Sequence, residues 1–236
     1  MSRNIAVVLQ ARMDSQRLPG KSMLPLGADA QPLLLRVMQA LNHVPANLRV
    51  LACPQNCETI FLPLTQDAGF ELITGPEDDV LERYCMAIRR FNIDTVIRAT
   101  ADNPFVFADA AAALCAEALA VGADYAGYSG LPLGAGVEVV QAGALLRAKA
   151  EAIAPYEREH VCPYLYGHPE KFLLHRPLAP LRWQGGALRL TVDTEEDYTQ
   201  AQALYAALEK AGQGRADCNG TTIIEICKNI FPEAAP

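Results

Sequence analysis

Three cations and two carboxylates are the side chains most suited to chemistry in this sequence. Arg12, Arg17 and Lys21 crowd one loop, Gln10-Ala11-Arg12-Met13-Asp14-Ser15-Gln16-Arg17-Leu18-Pro19-Gly20-Lys21, directly after the apolar run Ile5 to Leu9. Arginine grips phosphate oxygens through two parallel hydrogen bonds, and lysine adds a compact point charge. Gly20 would let the backbone approach a ligand closely. The loop suits a triphosphate; a solvated basic loop is the competing reading. It has neither the GxxxxGK[ST] nor the GxGxxG pattern of the common phosphate loops.

Asp102 and Asp193 each follow an apolar stretch, Thr95 to Ala99 and Leu188 to Val192. Both can therefore end strands at the same edge of a sheet, where open α/β folds bind ligands. Magnesium is commonly held by one or two carboxylates plus substrate phosphates. Plainer roles compete: Asp102-Asn103-Pro104 can start a turn, and Asp193 with Glu196 fits a helix cap. Glu77, Asp78 and Asp79 make a poor metal motif and suit the positive end of a helix better, with Arg83 one turn on in reach of Asp79. Arg158 and His160 fall on a helical stretch; a histidine there could serve as general base or acceptor contact, or be structural. His43, His168 and His175 have no partner pattern, and Cys53 with Cys57 lacks the further ligands a metal would need.

These groups need a frame. A continuous apolar run marks a buried strand at 5–9, short strands are also expected at 49–52, 70–73 and 95–99, and helices are expected at 32–41, 58–68 (with Pro63 expected to kink or end it), 77–91 and 108–121. Beyond these, strands are expected at 125–128, 137–140, 172–175 and 188–192, and helices at 142–152, 156–166, 194–211 and 221–229. Strand and helix alternate through the first half, which implies an α/β fold: a mostly parallel central sheet with helices on both faces, in three layers. One domain over 1–236 is expected, with a sub-region at about 125–185 for acceptor or dimer contacts.

The 236 residues are 51% hydrophobic and carry a formal net charge of −7. That charge argues against nucleic acid bound through a broad basic surface, while a few local cations can still focus field in a cleft. The seven cysteines form no CxxC pair. They read as reduced, small hydrophobes rather than a disulfide framework. The run Ile5 to Leu9 is too short for a signal segment or a membrane span, so a cytoplasmic protein with no membrane partner is expected.

The patterns are more specific than their chemistry. The stretch from Ala11 to Lys21 matches the fixed positions of ARxxSxRLPGK. It resembles the signature of the cytidylyltransferases that activate acidic sugars, and most closely that of the spore coat polysaccharide biosynthesis type. Gly75 to Tyr84, Arg98 to Pro104, Arg158 to Tyr164 and Leu188 to Asp197 resemble further segments of that family, in family order. The resemblance implies a nucleotide-diphospho-sugar transferase-like fold and a cytidylyltransferase that uses CTP and a sugar-type acceptor. It implies Asp102 and Asp193 as Mg²⁺ ligands, with Arg12, Lys21 and Asp102 as catalytic groups. Ala11, Arg12, Arg17, Gly20, Lys21 and Ala52 would meet the nucleotide, and Glu138, Arg158 and His160 the acceptor. It also makes a homodimer plausible, which apolar content alone does not establish.

One segment departs. Pro132-Leu133-Gly134-Ala135-Gly136-Val137-Glu138 has Gly136 where the family often has an acid, although Glu138 remains. This implies a different acceptor, or lost activity. Two other readings stay open: a glycosyltransferase of similar architecture using a finished nucleotide sugar, and a non-catalytic nucleotide-binding protein.

Overall fold

The computed structural model describes residues 3–212 and 219–232. In chain order the elements are β1 (Ile5–Gln10), β2 (Pro25–Leu26), β3 (Gln31–Pro32), α1 (Leu33–Leu41), β4 (Leu48–Pro54), α2 (Glu58–Ala68), β5 (Glu71–Gly75), α3 (Val80–Phe91) and β6 (Thr95–Thr100). They continue with α4 (Ala108–Val121), β7 (Tyr125–Ala126), β8 (Glu138–Gln141), α5 (Ala142–Glu151), α6 (Pro155–His160), α7 (Pro163–Gly167), β9 (Leu174–His175), α8 (Glu195–Lys210) and α9 (Gly220–Ile230).

Seven strands form one sheet in the order β5-β4-β1-β6-β8-β7-β9. β1 lies between β4 and β6, parallel to both, and β5 extends the parallel side. β8 runs antiparallel to β6 and β7. Successive strand residues face opposite sides of the sheet, and the core divides accordingly. Val7 and Leu9 pack with α1, α2 and α4; Ala6 and Val8 pack with α3, α5 and α7. A burial this two-sided explains why β1 is continuously apolar from Ile5 to Leu9. A third cluster joins Phe105, Phe107, Trp183 and Val192 to α8 and α9. Tyr84 pins α3 to the sheet, its hydroxyl donating to Val8 O at 3.1 Å and Ala99 O at 3.3 Å.

Several expectations need correction. α2 runs through Pro63, which sits on its exposed side, and ends at Gly69 with φ 72°. The acids do not open α3 as its first turn: Asp79 is its N-cap, accepting from Glu82 N at 3.0 Å. The helix expected over 156–166 is two short ones, α6 and α7, separated by Val161 at φ 73°. A β-branched residue there is strained, and its complete burial holds it in place. The stretch 188–192 is no ladder strand. It follows the 131–135 segment through a single parallel bridge, Leu133 to Arg189. The capping box of α8 pairs Thr194 with Asp197, not Asp193 with Glu196.

Six cysteines are free and buried, as expected; Cys218 lies outside the described residues. No helix among the described residues is long and apolar enough to cross a membrane.

Candidate active site

Pro19 and Gly20 make the turn that aims Lys21. Lys21 N donates to Leu18 O at 3.2 Å, and Gly20 has φ 68° and ψ 15°. This is the backbone of a type II turn, with proline at the second position and glycine supplying positive φ at the third. A side chain at Gly20 would meet no atom within 4 Å. The residue therefore serves the turn and not close approach to a neighbour.

From that turn Lys21 Nζ reaches three acceptors: Asp102 Oδ2 at 2.9 Å, Asp193 Oδ1 at 2.9 Å and Val192 O at 3.0 Å. Asp102 leaves the end of β6, and Thr100 Oγ1 donates to its Oδ1 at 2.6 Å. Asp193 arrives by another route. Val192 N donates to Asp102 O at 2.8 Å, and Leu190 N to Leu133 O at 2.7 Å, which stitches 190–193 along the end of β6. Gly134 permits this close approach, because a Cβ there would stand 2.5 Å from Thr191 N. Asp197 then locks the corner: its Oδ2 accepts from Asp193 N at 3.0 Å and Thr194 N at 3.1 Å. Burial would raise the Asp197 carboxyl, but bonds from Arg189 and from the Asp193 N–H outweigh it, and the group titrates below its ordinary value.

Around these residues opens a cleft of about 580 Å³. Ala11, Arg12, Arg17, Lys21, Asp102, His160 and Asp193 line it, so the structure gathers loop, aspartates and histidine in one place. Arg17 pairs with Asp193 at 3.2 Å, and Arg12 crosses to Glu159 at 3.3 Å. His160 packs against Tyr156 with the two rings tilted and their centroids 4.5 Å apart.

Other expected residues are elsewhere. Ala52 is buried in β4 and does not line the cleft; its carbonyl accepts from Ala11 N at 3.3 Å. Arg158 turns away to Asp79 and to Ala152 O at 3.3 Å. That leaves Arg83 without the expected Asp79 pairing: its Nη1 donates to Pro76 O at 2.5 Å and Glu77 O at 2.9 Å. Glu138 lines a second cleft of about 330 Å³, beside Tyr125, Tyr128, Gly136 and Arg176. It pairs with Arg98 and accepts from Tyr125 Oη at 2.7 Å.

Arg98 and Thr100 line both clefts and were not singled out as site residues. Their signal was present, since Arg98 and Thr100 stand two apart on β6 and so share a face, and Thr100 ends the strand that leads to Asp102. Among the described residues no cluster of three or more His, Cys, Asp or Glu could hold a metal. Two carboxylates do converge, and on a cation, the Lys21 ammonium.

Comparison with known proteins speaks to the family and the fold. The cytidylyltransferase family model matches residues 6–224. The spore coat polysaccharide biosynthesis protein SpsF of Bacillus subtilis (strain 168) is 33% identical over 98% of this chain and 97% of its own length. A cytidylyltransferase structure from Leptospira borgpetersenii superposes with a TM-score of 0.87 at 24% identity, covering 99% of this chain and 98% of that one. The structure of CMP:2-keto-3-deoxy-manno-octonic acid synthetase complexed with CTP superposes with a TM-score of 0.66 at 16% identity, covering 86% of this chain and 98% of that one. At those identities the structures speak to the fold alone.

Proposed function

The chain belongs to the cytidylyltransferase family and is a nucleotidyltransferase; on that premise we propose that it transfers CMP from CTP to a sugar-type acceptor with release of pyrophosphate. The observation that carries this reading is the convergence of Asp102 and Asp193 on Lys21 at the floor of a cleft rimmed by Arg12 and Arg17. The cations suit a triphosphate, and both aspartates are partly exposed to it, at 25% and 18%.

Two carboxylates fit Mg²⁺, which takes one or two protein carboxylates and completes its shell with water and phosphate oxygens. That the pair already gathers a cation supports the fit. Asp102 and Asp193 would hold the ion, which supplies charge neutralisation at the α-phosphate when bound.

The chain's own residues do the rest by positioning and electrostatics. Arg17 and Lys21 bind the phosphates, and Arg12 closes over them from its contact with Glu159. An acceptor oxygen, either an ionised carboxylate or phosphate oxygen or a hydroxyl that yields its proton to solvent, attacks the α-phosphorus, a new P–O bond forms, and the bond to the β-phosphate bridging oxygen breaks. Pyrophosphate leaves with that electron pair. The second cleft suits the acceptor because it shares Arg98 and Thr100 with the first, so the two reactants would meet at the carboxyl end of β6. His160 stands at the mouth, placed to meet the acceptor. The kinship with SpsF supports a role in surface polysaccharide or glycoconjugate synthesis.

The test is pyrophosphate release from CTP and Mg²⁺ across a panel of sugar acids and sugar phosphates. Release that depends on one acceptor supports the reading. Release of a nucleoside diphosphate from a nucleotide sugar, with no pyrophosphate from CTP, would replace it with a glycosyltransferase.

A further inference from the structure

Each cation of the loop after β1 has a carboxylate beside it, and the pairings are not alike. Lys21 is held by Asp102 and Asp193, and Arg17 by Asp193. Those aspartates have a further use as metal ligands, and in that use they release both cations to the phosphates. Arg12 is held instead by Glu159, at 3.3 Å. Glu159 stands on α6 and has no part in the metal pair, so metal binding by Asp102 and Asp193 leaves Arg12 capped.

Glu159 and a phosphate make opposed claims on Arg12. A phosphate oxygen drawn to the same guanidinium nitrogen, at about 2.8 Å, would stand no more than roughly 6 Å from the Glu159 oxygen if that side chain stayed in place. Like charges at that distance repel. The ligand therefore binds against Glu159, or after Glu159 has swung away. Swinging is easy, because the two side chains are 53% and 46% exposed and no residue of α6 is buried. The helix keeps its place without this contact. Arg158 ties it to Asp79 and to Ala152 O at 3.3 Å, and the fully buried Val161 fixes its C-terminal end.

We infer that Glu159 is a built-in competitor for the phosphate site: it occupies Arg12 when no phosphate is bound, yields it to the triphosphate and recaptures it as pyrophosphate leaves. This rests on the nucleotidyl-transfer reading for the identity of the anion. The contact weakens every phosphate ligand that uses Arg12, and for an exposed ion pair the effect is about two- to fivefold. The same factor falls on substrate and product. CTP has a nucleoside to hold it and pyrophosphate has none, so the competition favours product release.

The experiment is equilibrium binding of CTP and of pyrophosphate, each with Mg²⁺ in excess, to the full chain and to Glu159→Gln, Arg12→Gln, the double variant and Glu157→Gln. Pyrophosphate release from CTP is followed in parallel. Glu159→Gln should bind both ligands about two- to fivefold tighter than the wild type. Arg12→Gln should bind both more weakly, and adding Glu159→Gln to it should recover about 1.5-fold or less, a dependence on Arg12 that a merely structural role would not produce. Glu157 lies on α6 outside the cleft, its side chain accepting from Ala154 N at 3.3 Å. Glu157→Gln removes the same charge and should leave both affinities unchanged. Equal or weaker binding by Glu159→Gln would overturn the inference. So would an equal gain with and without Arg12, which would make Glu159 a general source of negative field. The expected affinities without pyrophosphate release on any acceptor would leave the inference standing and end the transfer reading. Pyrophosphate release with unchanged affinities would end the inference alone, and binding of neither ligand by the wild type would end both.

Discussion

Replacing Lys21 with methionine keeps the apolar stem of the side chain and removes its charged end. In the wild type one ammonium sits 2.9 Å from a carboxylate oxygen of each aspartate. Those two oxygens lie no more than about 6 Å apart, and at an effective dielectric constant of about 20 their mutual repulsion is roughly 3 kcal/mol. The lysine is 15% exposed and the aspartates 25% and 18%, so solvent and salt reduce this to about 2 kcal/mol. For a chain of this size that corresponds to a fall in Tm of about 4–8 °C. Mg²⁺ should then stabilise Lys21→Met more than the wild type, because a divalent ion answers two carboxylates left facing each other. CTP should stabilise it less, because a phosphate contact is gone. Thermal melts with and without Mg²⁺ and CTP read all three effects without knowledge of the acceptor. A variant that melts within about 1 °C of the wild type and answers Mg²⁺ identically would refute the idea that Lys21 neutralises the pair.

Asp102→Asn keeps the shape of the site and removes one carboxylate. Turnover should fall by about a hundredfold or more, while the melting temperature in the absence of Mg²⁺ should change little; full turnover would remove Asp102 from the chemistry. Gly134→Ala puts a Cβ 2.5 Å from Thr191 N at a residue with φ 92°. It should cost about 2 kcal/mol or more in denaturant unfolding and lower activity, because the segment it pushes carries Asp193. Asp197→Asn should lose about 1–2 kcal/mol at neutral pH through its cap and the Arg189 fork. The wild-type carboxyl titrates lower folded than unfolded. Its contribution is therefore complete above the unfolded value near pH 4, and fades as pH falls through the folded value. The gap between wild type and variant, followed by urea melts, should close on acidification; a gap that widens would contradict the assignment.

Much of the frame is legible in the sequence because two periodicities leave clear traces. β1 is continuously apolar from Ile5 to Leu9 since helices cover both faces of the sheet. α4 matches its expected range, 108–121, because an alanine-rich run ends at Gly122 with φ 67°. The basic loop and Asp102 could be placed from strand ends alone. Asp193 reaches the same edge for a different reason: 188–192 lies along an irregular segment that Gly134 allows to approach, and apolar content alone does not separate that from a ladder strand. Arg158 shows a second limit. Its helix was expected, but helical spacing does not reveal that Val161 breaks the helix, nor that Arg158 turns to Asp79 while Glu159 and His160 face the cleft. Arg83 shows a third, since a lone arginine on a helix carries no mark of which carbonyls it meets.

The central claim is that Asp102, Asp193 and the basic loop hold one metal-bound cytidine triphosphate between them. It is tested most directly by a crystal structure with CTP and Mn²⁺, using the anomalous signal of manganese. The expected result is one strong peak bridging a carboxylate oxygen of Asp102 and one of Asp193, in contact with the phosphates, with Arg17 and Lys21 on the triphosphate. A manganese peak remote from both aspartates, or CTP bound outside the cleft, would contradict the account.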